Sequence, residues 1–144
     1  MKNVTELLKS KAQRPMVVVK PEDTVLEAIK VLARENIGAA VVVSGDRLVG
    51  IFSERDYTRK VILKGRSSES TRVEEIMTAN VVCVNPRTKT RDCMALMSEK
   101  NIRHLPVVEE GRVVGMVSIR DIVTDIIADQ DFTISQLEHY ISGQ

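Results

Sequence analysis

A serine, an arginine and an aspartate occur together twice in the chain, each time shortly after a glycine. The two segments are Gly50-Ile51-Phe52-Ser53-Glu54-Arg55-Asp56 and Gly115-Met116-Val117-Ser118-Ile119-Arg120-Asp121. If a helix begins at the serine, its first backbone N–H groups and the positive end of its dipole favour an anion such as phosphate. The arginine adds positive charge, and the aspartate can accept hydrogen bonds from both hydroxyls of a ribose. Both segments are therefore candidate binding sites for a sugar phosphate.

The same spacing also suits a simple helix cap. In Ser-x-x-Asp the serine accepts from the third backbone N–H and the aspartate offsets the helix dipole, which stabilises a helix by about 1 kcal/mol. For one copy alone, this structural interpretation is the better one. Because the segment recurs behind the same glycine at a shift of 65 residues, we favour the binding interpretation.

The repetition extends well beyond these two segments. At the same shift Val17 matches Val82, Pro21 matches Pro86, and Asn36-Ile37 matches Asn101-Ile102. An opening segment, residues 4–8, resembles residues 73–77 at a shift of 69. The polar segment 65–70 separates the copies. We therefore divide the chain into a first domain, 4–66, a second domain, 71–128, and a helical tail, 129–144.

Each copy predicts the order strand, helix, strand, strand, helix, which is an α+β fold built from α/β-type repeats. In the first copy we expect these elements at 16–19, 24–36, 39–43, 48–52 and 53–64, and in the second at 81–84, 91–100, 105–108, 113–117 and 119–128. Thr24 and Glu27 have the spacing of a capping box, and Asn36 and Gly65 suit the left-handed end of a helix.

The tail carries an apolar stripe at helical spacing, formed by Phe132, Ile134, Leu137, Tyr140 and Ile141. We expect this short helix to pack on its own domain or on a second copy of the chain. Recruitment of another protein is the alternative.

Composition excludes several classes of function. Twenty-one basic residues against twenty acidic residues give a net charge of +1, so no nucleic-acid partner is expected. No stretch approaches the roughly 18 apolar residues of a membrane span, and the first residues are too polar for a secretory signal, so we expect a cytoplasmic protein without a membrane partner. No catalytic triad, carboxylate pair or metal-ligand spacing is visible, so we expect neither catalysis nor a metal. Cys83, in a predicted strand, and Cys93, on a predicted helix, are interpreted as small core residues.

The two copies together resemble a tandem pair of cystathionine-β-synthase-type (CBS) domains. The resemblance rests on residues 17–25, 36–43 and 48–56 of the first copy and on Met77-Thr78, 101–108 and 115–121 of the second. It covers about residues 4–128, as in the stand-alone CBS pairs of bacteria that are often described as signal-transduction proteins. It implies two repeats packed through their sheets with pseudo-two-fold symmetry. It also implies a homodimer in which two pairs form a four-domain disc.

The resemblance further implies a ligand and the residues that bind it. The implied ligands are regulatory and contain adenosine: AMP, ADP, ATP or NAD(H), with S-adenosylmethionine less favoured. By matching positions, Asp56 and Asp121 would hold ribose hydroxyls, Ser53 and Ser118 would meet phosphate, and Arg55 and Arg120 would supply charge. The backbone around Gly38, Ala39 and Ala40 and around Arg103, His104 and Leu105 would read the adenine edge, with Met16, Val17, Asn80 and Val81 lining the clefts.

The copies differ in the segment that would read the adenine edge. Gly38-Ala39-Ala40-Val41 in the first copy corresponds to Arg103-His104-Leu105-Pro106 in the second. We therefore expect unequal sites, in which the cleft of the first copy lacks the basic pair and the proline common in the family. We also expect Arg103 or His104 to reach a phosphate across a cleft, with a purely structural histidine as the alternative for His104.

Three functions remain open at this point. The favoured one is a non-catalytic regulatory module that signals energy or redox state to a partner protein. An oligomerisation module with no physiological nucleotide is the second. An enzyme that uses the bound nucleotide is the third, and it would need an acid, base or nucleophile that the sequence does not show.

Overall fold

The computed structural model describes residues 2–10 and 16–141. Its five strands are β1 (Val18–Val19), β2 (Ala39–Ser44), β3 (Arg47–Ser53), β4 (His104–Glu109) and β5 (Arg112–Ser118). Its helices are α1 (Val4–Ser10), α2 (Val25–Glu35), α3 (Glu54–Asp56, continued by a π-helix, Tyr57–Ile62), α4 (Val73–Ile76), α5 (Thr90–Lys100) and α6 (Ile119–Ile141). The strands form one sheet in the order β1-β2-β3-β5-β4, in which only β1 and β2 run parallel. The predicted α+β fold with two similar repeats is confirmed.

Each repeat contains the predicted hairpin. The register of β2 with β3 shifts after Val42, and that of β4 with β5 shifts after the equivalent Val107, so the two hairpins carry the same bulge. The hairpins meet where Arg47 pairs with Arg112, and Arg112 Nε lies 3.1 Å from Asp46 Oδ2. One continuous sheet therefore runs through both repeats.

The helix ends follow the sequence signals. At the start of α2 the Glu27 backbone N–H donates to Thr24 Oγ1 at 3.1 Å. Asn36 ends this helix with φ 54°, Asn101 ends α5 with φ 53°, and Gly65 follows α3 with φ 67°. These left-handed positions are where Asn and Gly cost least, so the predicted boundaries are confirmed.

The first strand of the second repeat, predicted at 81–84, is reduced to one parallel bridge between Val84 and Val107. To extend this parallel pairing towards residue 81, a backbone N–H at position 106 would have to donate to the Val82 carbonyl oxygen. Pro106 has no N–H, whereas the first repeat has Val41 at this position and forms β1. Cys83 is not in a strand and is exposed, as is the equivalent Val18 within β1, so its assignment to the core was wrong.

The first helix of each repeat packs in the hydrophobic core of the other repeat. The first core, which includes Leu32, Val42 and Phe52, is completed by Val73 and Ile76 of α4. The second core, which includes Cys93, Leu105, Val117 and Ile122, is completed by Val4 and Leu7 of α1. The bounds 4–66 and 71–128 therefore describe the sequence repeat, but each core draws one helix from the other repeat's segment.

Helix α6 does not end with the second repeat. It runs without interruption through 23 residues, so the prediction of a separate short tail helix was wrong for the described part of residues 129–144. Ile122 is buried and Ile126 packs on the second core, but every residue from Ile127 to Ile141 whose side chain is described is exposed. Of the two partners expected for the tail, its own domain is ruled out for these residues, and packing on a second copy of the chain stays a prediction. Among the residues that the structure describes, no helix is both long and apolar enough to cross a membrane.

Candidate functional site

A cleft of about 380 Å³ lies where the two repeats meet. The first repeat contributes Gly38, Ile51, Ser53, Glu54, Arg55 and Asp56. The second repeat contributes Thr78, Asn80, Val81, Val82, Ile102, Arg103 and His104. Four of the residues predicted for the first copy's site, Gly38, Ser53, Arg55 and Asp56, therefore line one cleft, together with the basic pair of the second copy.

Ser53 and Asp56 cap α3 reciprocally. The Asp56 backbone N–H donates to Ser53 Oγ at 3.1 Å, and the Ser53 backbone N–H donates to Asp56 Oδ2 at 3.1 Å. Ser118 and Asp121 repeat the arrangement: the Asp121 N–H donates to Ser118 Oγ at 3.1 Å, and the Ser118 N–H donates to Asp121 Oδ2 at 2.8 Å. The Glu54 N–H donates to the Gly38 carbonyl oxygen at 3.0 Å. Three N–H groups at the start of α3 are thus engaged, so the basic side chains are the main groups that this cleft offers to an anion.

Both oxygens of Asp56 are occupied, and its side chain is only 8% exposed. Oδ2 accepts from the Ser53 N–H and from Ser53 Oγ, the latter at 3.0 Å. Oδ1 accepts from Thr78 Oγ1 at 3.2 Å and lies 3.1 Å from Lys60 Nζ. A carboxylate has about four acceptor positions. A ribose hydroxyl can therefore reach Asp56 only by replacing one of these contacts, and Lys60 and Thr78 are the partners outside the helix cap.

Thr78 is held beside the cleft by its backbone. Its N–H donates to the Ile51 carbonyl oxygen, and the Ile51 N–H donates to the Thr78 carbonyl oxygen, both at 2.9 Å. This close approach requires a glycine at position 50, because a Cβ there would lie 2.7 Å from Met77 Sδ and 2.9 Å from the Thr78 carbonyl oxygen. The glycine of the repeated segment thus positions the group that contacts Asp56, a role that the sequence did not reveal.

Basic side chains exceed acidic ones by one around the cleft when Lys60, outside the lining, is counted against Asp56, because Arg55 and Arg103 are then opposed only by Glu54. Arg55 and Arg103 are exposed, while the charge of Asp56 is offset by Lys60. His104 lies beside Gly38, where an added Cβ would be 3.7 Å from His104 Cε1. The expectation that the first copy's cleft lacks the basic pair was wrong. Because both repeats line the cleft, the second repeat's basic pair faces the first repeat's helix junction.

The remaining predicted residues do not line this cleft. Ala39, Ala40, Leu105 and Pro106 are buried within strands, Val17 packs against the first core, and Met16 is 39% exposed. Ser118, Arg120 and Asp121 belong to the second helix junction. There, the position of Lys60 is taken by Asp125, whose Oδ1 lies 2.6 Å from Lys2 Nζ. The two junctions therefore differ in charge, which supports the prediction of unequal sites.

No group of three or more His, Cys, Asp or Glu side chains that could hold a metal occurs in the described part of the chain. The buried thiol of Cys93 fits its assignment to the core, and burial raises its pKa to about 11.

The CBS domain family matches this chain twice, at residues 4–62 and 73–128. The chain therefore belongs to the CBS domain family and contains a tandem pair of its domains. It is 43% identical over 127 residues to the CBS domain-containing protein CBSX3, mitochondrial, of Arabidopsis thaliana. That match covers 85% of this chain and 62% of the Arabidopsis protein, so the chain spans less than two thirds of that relative.

Several solved structures share the whole architecture. A protein described as a signal-transduction protein with CBS domains, from Burkholderia ambifaria, is 50% identical with a TM-score of 0.85, covering 90% of this chain and 96% of its own. A CBS domain protein from Pyrobaculum aerophilum, solved in complex with AMP, is 30% identical with a TM-score of 0.74, covering 83% and 89%. The CBS domain pair of protein MJ0100, solved with 5′-methylthioadenosine and S-adenosyl-L-methionine, is 27% identical with a TM-score of 0.78, covering 90% and 98%.

Proposed function

We propose that this CBS pair is a non-catalytic regulatory module that binds an adenosine-containing nucleotide and signals energy or redox state to a partner protein. One observation carries the proposal: the Ser53–Asp56 junction of one repeat and Arg103 and His104 of the other line a single cleft. Its volume of about 380 Å³ suits a small ligand. The adenosine ligands of two solved CBS neighbours support the same class of ligand.

The lining of the cleft suggests how the ligand lies. The apolar side chains of Ile51, Val81, Val82 and Ile102 offer a surface for the base. Asp56 and Thr78 offer acceptor and donor groups for the ribose. Arg55, Arg103 and His104 would meet the phosphates.

The charge of the cleft favours ligands that carry phosphate. Two arginines line it, and the only acidic side chain in the lining besides the lysine-paired Asp56 is Glu54. An anion such as AMP, ADP, ATP or NAD(H) is attracted by this excess of positive charge, whereas the sulfonium of S-adenosylmethionine is repelled. We therefore place the phosphate-bearing nucleotides ahead of S-adenosylmethionine.

Signalling would follow from the position of the cleft between the repeats. A ligand that contacts both repeats binds most tightly to one relative arrangement of them, and it shifts the population towards that arrangement. The segment of the second repeat from Thr78 to Val82 would move with it because it lines the same cleft. A partner that reads the arrangement of the repeats would then sense the nucleotide.

Thermal unfolding of the full chain with AMP, ADP, ATP, NAD⁺, NADH and S-adenosylmethionine tests the proposal. A ligand that binds only the folded state stabilises it by about 2.7 kcal/mol at one hundred times its dissociation constant. We expect one or more phosphate-bearing nucleotides to raise the midpoint, and the Arg103→Ala/His104→Ala double variant to lose most of the rise. The matched control is Arg87→Ala, an exposed arginine outside the cleft, which should keep it. No rise with any nucleotide at millimolar concentration would favour an oligomerisation module instead.

A further inference from the structure

The second half of α6 carries an exposed apolar seam at heptad spacing. One row contains Ile127, Ile134 and Ile141, each seven residues after the last, and a second row contains Val123, Gln130 and Leu137 at the same spacing. Along the helix, residues of the two rows follow one another at spacings of four and three positions in turn. This is the a and d pattern of a coiled coil, with isoleucine at each a position. We call these six positions the α6 seam.

The α6 seam is distinct from the face that packs on the second core. Ile122 and Ile126 point to that core, whereas the apolar residues of the seam are between 44% and 82% exposed. Every residue from Ile127 onward whose side chain is described is exposed, so roughly four turns of the helix lack tertiary support. Helical segments of this length are marginally stable in water without packing. The seam therefore needs a partner.

We propose that the partner is the α6 seam of a second copy of this chain, paired in parallel and in register. The charges beside the seam determine the orientation. Asp131 and Glu138 occupy e positions, and Thr133 occupies a g position. In an antiparallel pair, e positions face each other, which would bring Asp131 against Glu138 of the other copy. In a parallel pair, e positions face g positions, so Glu138 meets the neutral Thr133 and the repulsion is avoided.

Gln130 sets the register of the parallel pair. It is the one polar residue among the six positions of the seam, and in register it faces Gln130 of the other copy. A side-chain amide both donates and accepts, so two copies can satisfy each other across the interface, whereas any other register would bury the amide against isoleucine or leucine. The α6 seam contains no residue of the nucleotide cleft, so pairing through it does not depend on the proposed function.

The molar mass of the full chain in solution, measured by analytical ultracentrifugation, gives the first test. We expect a dimer, twice the 16.1 kDa of the chain, at micromolar concentration. The Ile134→Asp/Leu137→Asp variant should be a monomer, a twofold drop in mass. The matched control is Phe132→Asp, because Phe132 is 66% exposed but lies on the opposite side of the helix from the seam, so its assignment to one apolar stripe with Ile134 was wrong. A monomeric wild-type chain overturns the proposal and favours a different protein as the partner.

Disulfide formation tests the orientation and separates the α6 seam from any other dimer contact. A Gln130→Cys variant, made in a Cys83→Ser background so that the exposed native thiol is absent, should form an intermolecular disulfide rapidly under mild oxidation. An antiparallel pair centred on Ile134 would hold the two positions about 12 Å apart along the axis and block this bond. Absence of the disulfide in a chain that is dimeric overturns the parallel seam.

Discussion

Lys60 Nζ lies 3.1 Å from Oδ1 of Asp56, one turn earlier on the same helix. The ammonium also donates to the Ile76 carbonyl oxygen at 3.0 Å and so links α3 to α4. Asp56 is the carboxylate that we propose for ribose binding. Lys60 and a ribose hydroxyl therefore compete for the same oxygen.

This competition predicts the effect of Lys60→Met, which keeps the aliphatic part of the side chain and removes the ammonium. We expect the affinity for adenosine, which has ribose but no phosphate, to rise by roughly fivefold, equivalent to about 1 kcal/mol for a half-exposed ion pair. Titration calorimetry with adenosine measures it, and Lys64→Met, which removes an exposed charge one turn further on, is the control. An unchanged or weaker affinity in Lys60→Met would show that the lysine does not compete.

The difference between the two helix junctions predicts unequal effects of Asp56→Asn and Asp121→Asn. In each variant the asparagine side-chain oxygen can still accept from the backbone N–H of the capping serine, so both variants should remain folded. Asp56→Asn should weaken nucleotide binding at least tenfold, or about 1.4 kcal/mol, because this junction shares its cleft with Arg103 and His104. Asp121→Asn should change the affinity little. Calorimetric titration of both variants decides the matter, and equal losses would indicate two equivalent sites.

The two repeated glycines predict a similar contrast in stability. Gly50→Ala would place a Cβ 2.9 Å from the backbone carbonyl oxygen of Thr78, whereas the nearest atoms to a Cβ at Gly115 are the terminal carbons of Leu8, at 2.7 and 3.0 Å. A leucine side chain can rotate, but the backbone of Thr78 is fixed by two hydrogen bonds to Ile51. We expect Gly50→Ala to cost about 2–3 kcal/mol in urea unfolding and Gly115→Ala clearly less. The reverse order would contradict this account of Met77-Thr78.

The two thiols should differ in their reactivity. Burial raises the pKa of Cys93 to about 11 and also raises that of the exposed Cys83. Only Cys83 should react with a thiol reagent at pH 8 in the folded protein, and Cys93 should react on unfolding. Equal rates for both thiols would show that Cys93 is accessible.

The raised pKa of Cys93 also fixes a sign for pH dependence. The folded state holds this proton more tightly than the unfolded state, so the free energy of unfolding should fall as pH rises from about 9 towards 11. The slope from this one group is limited to about 1.4 kcal/mol per pH unit. Cys93→Ala should reduce the slope in alkaline urea titrations, and an identical slope would assign it to other groups.

The structural features that depend on residues close together in the chain could be predicted from the sequence. The hairpins, the Thr24 cap and the left-handed helix ends at Asn36 and Asn101 all follow from local backbone preferences, and the structure contains each of them. The loss of the second repeat's first strand could also have been predicted, because Pro106 replaces Val41 and cannot donate a hydrogen bond. The replacement of Lys60 by Asp125 is equally visible when the copies are aligned.

The rest depended on contacts between the repeats. Aligning the copies shows where Arg103 and His104 lie within a repeat, but it does not show that they face the other repeat's Ser53 and Asp56. The contact of Thr78 with Asp56 likewise arises between the repeats, because the backbone of Thr78 in the second repeat pairs with Ile51 of β3 in the first. Heptad spacing in α6 was visible in the sequence, but its exposure required knowing which face of the helix meets the core.

The exchange of α1 and α4 has a consequence for synthesis on the ribosome. The first core can close as soon as α4 emerges, since Val73 and Ile76 supply its last apolar side chains. Helix α1, although made before the other described elements, has no complete surface to pack on until strands β4 and β5 and the start of α6 have emerged, because Val4 and Leu7 belong to the second core. It is thus among the last of these elements to dock, and its apolar side chains must stay out of non-native contacts while more than a hundred further residues are added.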